Sequence, residues 1–236
     1  MATDKLSNAV QDYLKAIYAL DAAGARVTTS ALAGRMEVSA PSATAMMKRL
    51  TDLGLAERSP YRGVVLTEAG RRGALEVLRH HRLLERYLVD TLGLPLDKVH
   101  AEADRLEHAL SEELEARIDE ALGFPTHDPH GDPIPDRNLE IISAEARALL
   151  DLAPGDRATV SRVPDADADL LRYLDELALV PGQPVELTAI APFGGPLSIR
   201  TGTGEHAIAR ELAAAVSVDL SRPVIVDSKS RRSSRI

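Results

Sequence analysis

His100, Asp104, Glu107 and His108 stand at i, i+4, i+7 and i+8 of one apolar-periodic segment. On a helix these positions share a face. In the helical segment before it, His81 and Glu85 form an i, i+4 pair. An imidazole or a carboxylate offers one or two donor atoms. Helical spacing converges such donors, so two facing helices can surround a divalent cation. A solvated charged face is the ordinary alternative, because Glu102, Arg105, Glu112 and Glu113 share the segment. Six donors, three of them His, favour the cation. All are oxygen or nitrogen, and the chain has no Cys. Hard carboxylates suit Mn2+ and Fe2+, whereas the imidazoles also accommodate Zn2+, Co2+ and Ni2+.

Positioning these donors requires two long helices over 67–122, parted near Gly93-Leu94-Pro95. Leu75, Val77, Leu78, Leu83, Leu84, Tyr87 and Leu88 line the first; Val99, Leu106, Leu110, Leu114 and Ile118 line the second. An apolar face left over after core packing suits a homodimer. Ahead of them lies a helix over Asn8–Asp21, then a short one beginning near Thr29-Ser30, whose hydroxyls can cap it. Glu37-Val38-Ser39 makes a tight turn, and a third helix runs from Pro41 to Gly54. Two short apolar stretches around Ser59-Pro60-Tyr61-Arg62-Gly63 predict a β-hairpin. Helix, helix-turn-helix and hairpin make a winged helix-turn-helix, whose second paired helix enters the major groove of double-stranded DNA. Ser39, Pro41, Ser42 and Thr44 lie at the exposed start of that helix and can meet phosphates or base edges. Lys48, Arg49 and the wing residues Arg58 and Arg62 are candidate phosphate contacts.

Beyond the helices, Gly123–Asp136 is a structured loop, and its His127–Asp132 portion is taken as connecting chain fixed by Pro and Gly. A helix is predicted over Ser143–Leu150. Short strands follow at Ala158–Val163, Pro184–Ile190, Leu197–Thr201 and Ala207–Ala209, with a helix at Ala168–Ala178. These make a small β-barrel-like domain. The polar end, Ser228–Ile236, reads as disordered.

The chain has 236 residues, 44% of them hydrophobic, which is enough for one large or two smaller cores. The absence of Cys excludes disulfide frameworks, zinc ribbons and Cys nucleophiles. Met1-Ala-Thr-Asp-Lys lacks the pattern of a signal peptide, and no apolar run approaches the roughly 18 residues of a membrane span. A soluble cytoplasmic protein without membrane contact is expected. Aromatics are only 3%, too few for base-stacking platforms. The net charge of −8 is uneven. Residues 1–75 hold ten Lys/Arg and seven Asp/Glu, net +3, whereas the rest hold eighteen and twenty-nine, net −11. A mildly basic head on an acidic body fits a DNA-binding module joined to something else.

The ordered set His81-Arg-Leu-Leu-Glu85, Gly93-Leu94, Lys98-Val-His100, Glu107-His108 and Gly131-Asp-Pro-Ile-Pro135, with Asp12-Tyr-Leu and Ile17-Tyr18 in the first helix, resembles the diphtheria-toxin-repressor family. These are metal-dependent transcription regulators with a manganese-sensing branch, and the resemblance covers nearly the whole chain. It implies a mainly α protein with a small β domain: a winged helix-turn-helix at 1–72, a helical metal-binding and dimerisation domain at 73–150, an SH3-like β-barrel at 151–226 and a disordered tail at 227–236. It also implies two metal sites: a primary one from Asp12, Asp104, Glu107 and His108, and an ancillary one from His81, Glu85 and His100. Asp12 and Asp104 stand where iron-sensing members carry Met and Cys, a change to hard oxygen that favours Mn2+, with Fe2+ as the alternative. Lys15 stands one turn after Asp12, where the short manganese sensors place a carboxylate. A closely bridged pair of manganese ions is therefore not carried over. The family's SH3-like domain donates a Glu and a Gln to the ancillary site; no such pair lies near Arg162–Asp165, which leaves Asp165 alone.

The expected function is a homodimeric, metal-activated regulator that binds a palindromic operator and represses metal-uptake genes. A cation would tie the first helix to the dimerisation helices; without it, the carboxylates repel and the heads sample many orientations. Two other readings are a winged-helix regulator gated by a small organic ligand and a di-metal carboxylate enzyme. The enzyme reading lacks the Glu-x-x-His pairs of bundle oxidases and any HExxH motif.

Overall fold

The computed structural model describes residues 6–142, 147–165 and 167–220. Two compact units divide the chain: Met1–Ala144 with Asp165–Asp169, and Glu145–Pro164 with Leu170–Ile236.

The first unit opens with α1 (Asn8–Ala22), α2 (Thr29–Arg35) and α3 (Ala40–Asp52). The antiparallel strands β1 (Ala56–Ser59) and β2 (Gly63–Leu66) follow as the wing. Two hydroxyls start the paired helices: Thr28 Oγ1 accepts from Ala31 N–H, and Ser39 Oγ from Ser42 N–H. The α2 cap is thus Thr28, one residue before the expected Thr29-Ser30, because the capping residue itself stays extended outside the helix. Glu37, in the tight turn, takes a positive φ of 53°. One core joins Val10, Leu14 and Ile17 of α1 to Leu32, Leu50, Val64 and Ala74.

Ala74 belongs to α4 (Glu68–Asp90), a 23-residue helix capped by Thr67. Further along, Leu83 and Leu84 of the same helix pack in a second core with Ala103, Leu110, Ile118 and Ile134. One rigid helix therefore runs from the winged core into the region that carries the donors. Its start packs tightly: a Cβ added at Gly70 would lie 1.8 Å from the Leu55 carbonyl oxygen.

The second long helix expected over this region is not continuous. It divides into α5 (Leu96–Leu106), a 3-10 turn at Glu107–Ala109 and α6 (Glu112–Ala121). Leu110 is extended, and Ser111 caps α6 by accepting from Leu114 N–H. Glu112, Glu113 and Glu115 crowd the first turn of α6, where the positive helix end favours acids. Glu107 and His108 consequently sit on a 3-10 turn that directly follows the helix carrying His100 and Asp104.

The second unit is one antiparallel sheet in the order β3-β8-β4-β5-β6-β7. Its strands are β3 (Arg147–Ala148), β4 (Arg157–Arg162), β5 (Pro184–Ile190), β6 (Leu197–Thr201), β7 (Gly204–Ile208) and β8 (Ser217–Leu220). Helices α7 (Ala168–Glu176) and α8 (Arg210–Ala215) interrupt the strands. Alternation buries Ala158 and Val160, Val185 and Leu187, and Leu197 and Ile199. Among the described residues the end strands β3 and β7 do not pair, so the sheet is open and no closed barrel is formed. The helix expected over Ser143–Leu150 is replaced at its C-terminal end by β3 and a 3-10 turn, Leu149–Asp151. The reason is that Leu149 N–H bonds Val216 O, so tertiary pairing with the chain before β8 overrides local preference. The start of that helix (143–146) and the expected disordered tail lie outside the described residues.

Gly70→Ala is expected to destabilise the protein by about 1–3 kcal/mol, the usual cost of overpacking against a backbone that cannot yield. Urea unfolding measures it, and an unchanged midpoint contradicts the packing described.

Candidate metal centre

Glu107 is the most shared group of the centre, and it is 1% exposed. Lys15 Nζ donates to its Oε1 at 2.6 Å and to its Oε2 at 2.8 Å. Its Oε2 lies 2.5 Å from His81 Nδ1. Its Oε1 lies 3.7 Å from His108 Nε2. His108 Nε2 in turn lies 2.8 Å from Asp12 Oδ1, across from the turn to α1. The other ring nitrogen, His108 Nδ1, faces the Gln11 carbonyl oxygen at 2.5 Å. A carbonyl only accepts, so Nδ1 donates to Gln11, and this bond orients the ring with Nε2 toward Asp12 and Glu107. Gln11 thus fixes the orientation of a ring whose Nε2 can serve as a metal ligand. Sequence reading missed Gln11; its adjacency to Asp12 on α1 was the only signal.

The donors expected at two sites are distributed over three groups. Asp12, Glu107 and His108 converge, and so do His81, His100 and Asp104. In the second group His81 Nδ1 is 3.3 Å from Asp104 Oδ1, and His81 Nε2 is 3.1 Å from His100 Nδ1. Asp104 thus stands with the two histidines, and Lys15 Nζ, 2.9 Å from its Oδ1, lies between the groups. Asp165 Oδ2 lies 4.0 Å from His100 Nδ1.

A third group joins Glu85 of α4 to Asp128 and His130 of the loop read as connecting chain. All three are buried, at 0%, 2% and 0% exposure. Among the described residues, Glu85 Oε2, Asp128 Oδ2 and His130 Nδ1 are buried polar atoms without a hydrogen-bond partner. Their nearest charged neighbours stand back, with Arg82 Nε 3.5 Å from Asp128 Oδ2 and His130 Nδ1 3.7 Å from Glu85 Oε2, and buried groups so weakly satisfied are costly. Three from three donor residues, converging together, fit a divalent cation held by oxygen and nitrogen. The loop is built for this placement: Asp128 Oδ1 accepts from His130 and Asp132 N–H, and Arg82 bonds the Pro133 carbonyl. The sequence signal was there in the alternation Asp128, His130, Asp132, but a Pro/Gly-rich loop is usually exposed, and burial could not be read from it.

The protonation of the centre is set by these contacts. Burial pulls His81 down, but its bonds to Asp104, Glu107 and Glu85 outweigh burial and hold it well above the ordinary range. Burial pulls Asp104 up, yet His81 and Lys15 keep it below the usual range. Glu85 is likewise held low, by His100, His130 and His81 against its burial. Asp12 is raised, chiefly by burial, which its neighbour His108 only partly offsets. Protons on imidazoles and the Lys15 ammonium therefore neutralise the acids here. A cation that takes these ligands must release the imidazole protons, so affinity falls with falling pH.

Other polar groups nearby are structural. Arg79, 4% exposed, binds Glu115, Asp119 and the Pro135 carbonyl. His80 links Glu115 to the Glu107 carbonyl and so anchors the 3-10 turn on α4. At the other end of the unit, Ser39, Pro41, Ser42, Thr44, Lys48 and Arg49 lie on the exposed side of α3, opposite the buried Ala43, Met47 and Leu50. The wing residues Arg58 and Arg62 are exposed too. Thr44 Oγ1 donates to the Ala40 carbonyl, so its hydroxyl proton is already used within the helix.

Burial, with Glu85 and Asp132 nearby, pushes Asp128 up to about 7 from its ordinary 3.8. A raised acid gives stability that is complete below pH 3.8 and is lost as pH rises through about 7. In chelator, Asp128→Asn, which keeps an oxygen for the two N–H groups, is expected to melt at a higher temperature than the unaltered chain at about pH 8. The two should converge near pH 4. Circular-dichroism melts check this, and a variant less stable at the higher pH contradicts it.

Residues 5–64 match the iron dependent repressor N-terminal DNA binding domain, and residues 67–136 match the iron dependent repressor metal binding and dimerisation domain. Residues 147–220 match the FeoA domain. The iron-dependent repressor IdeR of Mycobacterium leprae is 34% identical over 227 residues, covering 91% of this chain and 98% of that protein. The diphtheria toxin repressor of Corynebacterium efficiens is 41% identical over 130 residues, 55% of this chain and 56% of that one. A solved manganese-dependent transcriptional repressor in complex with manganese superposes with a TM-score of 0.80 at 40% identity, covering 90% of this chain and all of that one. With both repressor domains in order and a relative aligned over nearly its full length, the chain belongs to the iron-dependent repressor family.

Proposed function

We propose that this protein is a metal-activated, DNA-binding transcriptional regulator that acts as a homodimer in the cytoplasm and represses metal-uptake genes when loaded with Mn2+ or Fe2+. The observation that carries this is the meeting of α1 with the 3-10 turn: Asp12 of the winged module lies 2.8 Å from His108, beside the buried Glu107. A divalent ion supplies, when bound, a doubly positive charge that both elements can share. Asp12, Glu107 and His108 would hold it, and Glu85, Asp128 and His130 form a second cage joined to His81 and His100 through Glu85 Oε1, 2.9 Å from His81 Nε2 and from His100 Nδ1. Asp104, with His81 and His100, flanks the first. The oxygen-rich donors favour Mn2+, with Fe2+ as the alternative. The family's regulators bind DNA and are not enzymes, which displaces the di-metal enzyme reading.

We assign the reading head to about residue 72, the metal-binding and dimerising part to about 150, and an SH3-like module to about 226. Leu106 and Leu114 stay exposed on the helical part and offer apolar surface to a second copy. A two-fold dimer presents two α3 helices, which suits a palindromic operator. Ser39, Ser42 and Thr44 face base edges, with Pro41 available to thymine methyls. Lys48, Arg49, Arg58 and Arg62 take phosphates.

One expectation changes. Ion pairs from Lys15 to Asp104 and Glu107 already join α1 to α5 and the turn. The metal-free acids therefore do not simply repel. Activation is a shift in population between held arrangements, for which ~3 kcal/mol of differential binding gives a hundredfold change.

Palindromic duplexes selected from a random pool with Mn2+ provide the probe. In mobility shifts, binding is expected to be about a hundredfold tighter in Mn2+ than in chelator. Glu107→Ala and His108→Ala are each expected to abolish that difference. Equal binding in chelator and Mn2+ by the unaltered protein overturns the proposal.

A further inference from the structure

We propose that the cleft between the wing, α1 and the start of α4 is a binding site for a phosphate ester. It shares no residue with the metal centre, and the inference goes beyond the metal-dependent reading. The cleft has a volume of about 440 Å3, within the roughly 300–1,000 Å3 of small-molecule sites. Arg58 and Arg62 of the wing and Arg71 of the first turn of α4 line it. Asp21 and Glu57 lie in the same cleft but leave these cations largely unspent. Arg62 Nη1 stands 3.8 Å from Asp21 Oδ1, and both side chains are exposed. Among the described residues, neither Arg58 nor Arg71 forms an ion pair with a carboxylate. Arg71 lies instead over the Tyr18 ring, 5.4 Å from its centre, a contact made through the ring face. Guanidinium forks match the oxygens of a phosphate in both geometry and charge.

The walls of the cleft are set in advance. Val27 N–H donates to the Arg62 carbonyl and Val64 N–H to the Val27 carbonyl, each at 3.0 Å. A Cβ added at Gly63 would fall 2.1 Å from that Val27 oxygen, so the wing is pressed against the chain between α1 and α2. On the other side, Thr67 N–H donates to the Leu55 carbonyl at 3.0 Å and fixes the turn that carries Arg71. A site already formed loses little freedom when it is filled. Val65 and Leu66, both half-buried, add an apolar wall beside the cations. Forks next to an apolar wall suit a phosphate carrying an organic group better than bare phosphate. The backbone of a bound duplex presents the same ester chemistry. Arg58 and Arg62 cannot serve both sources at once, so a small ester in the cleft competes with DNA.

The test uses the full-length protein, with phenyl phosphate as the probe for a free ester and a duplex selected with Mn2+ as the probe for the backbone. Calorimetry is expected to show one phenyl phosphate per chain, with inorganic phosphate weaker. Arg71→Met and Arg58→Met should each weaken phenyl phosphate by about tenfold, the worth of one charge-assisted bond. Arg71 is exposed, so Arg71→Met should melt as the unaltered chain does. Phenyl phosphate should also weaken duplex binding. If phenyl phosphate does not bind, but Arg71→Met lowers the salt slope of duplex binding by about one, the site stands and its ester is the duplex's own. No phenyl phosphate binding together with an unchanged slope overturns the site, as does phenyl phosphate binding that both variants leave unaltered. None of these outcomes bears on the metal requirement, which the comparison of Mn2+ with chelator decides separately.

Discussion

A buried carboxylate must be paired or it is costly, and in this protein the pairing of Glu107 is also the joint of the molecule's first unit. Its oxygens face Lys15 from α1, His81 from α4 and His108 from its own turn. Each partner comes from a different element, so satisfying one side chain fixes α1 against α4 and the chain after α5. The interruption between α5 and α6 makes this possible. On the 3-10 turn Glu107 meets Lys15 and His81, as Asp104 does from α5, and its neighbour His108 meets Asp12 of α1.

The same joint explains how ligand binding at the centre can reach DNA. α4 spans both cores, with Ala74 in the winged core and Leu83 and Leu84 in the second. The reading head is thus already attached through a stiff helix, and small adjustments of α1 on that helix are what the donors control. Lys15 and His81 pair the acids in the metal-free arrangement, so an entering cation has to displace partners that are already in place. Linkage then requires DNA to tighten metal binding to the same degree.

Much of this was legible in the sequence because it depends on local rules. Apolar spacing and hydroxyl caps gave α1 through α4 and the hairpin within a residue or two, and His81, Glu85, His100 and Asp104 followed from helical periodicity. The break after Leu106 was harder, since the apolar period continues through Leu110 and Leu114. The signal was Ser111 followed by acids, a cap that competes with continuation. Asp128 and His130 escaped because their burial is a tertiary fact: nothing in a Pro/Gly loop says that it folds inward against α4. Lys15 was visible as a departure from a pattern, but only the fold shows it between two donor groups. In the second unit, β3 depends on pairing with β8, a partner far along the chain, and local preference there pointed to helix.

The account stands or falls on a divalent ion shared by the first helix and the turn after α5. Anomalous diffraction at the manganese edge from crystals grown with Mn2+ tests it directly. The account predicts a peak within coordination distance of Asp12, Glu107 and His108. Manganese-loaded crystals with no peak beside Asp12 and Glu107 would contradict it.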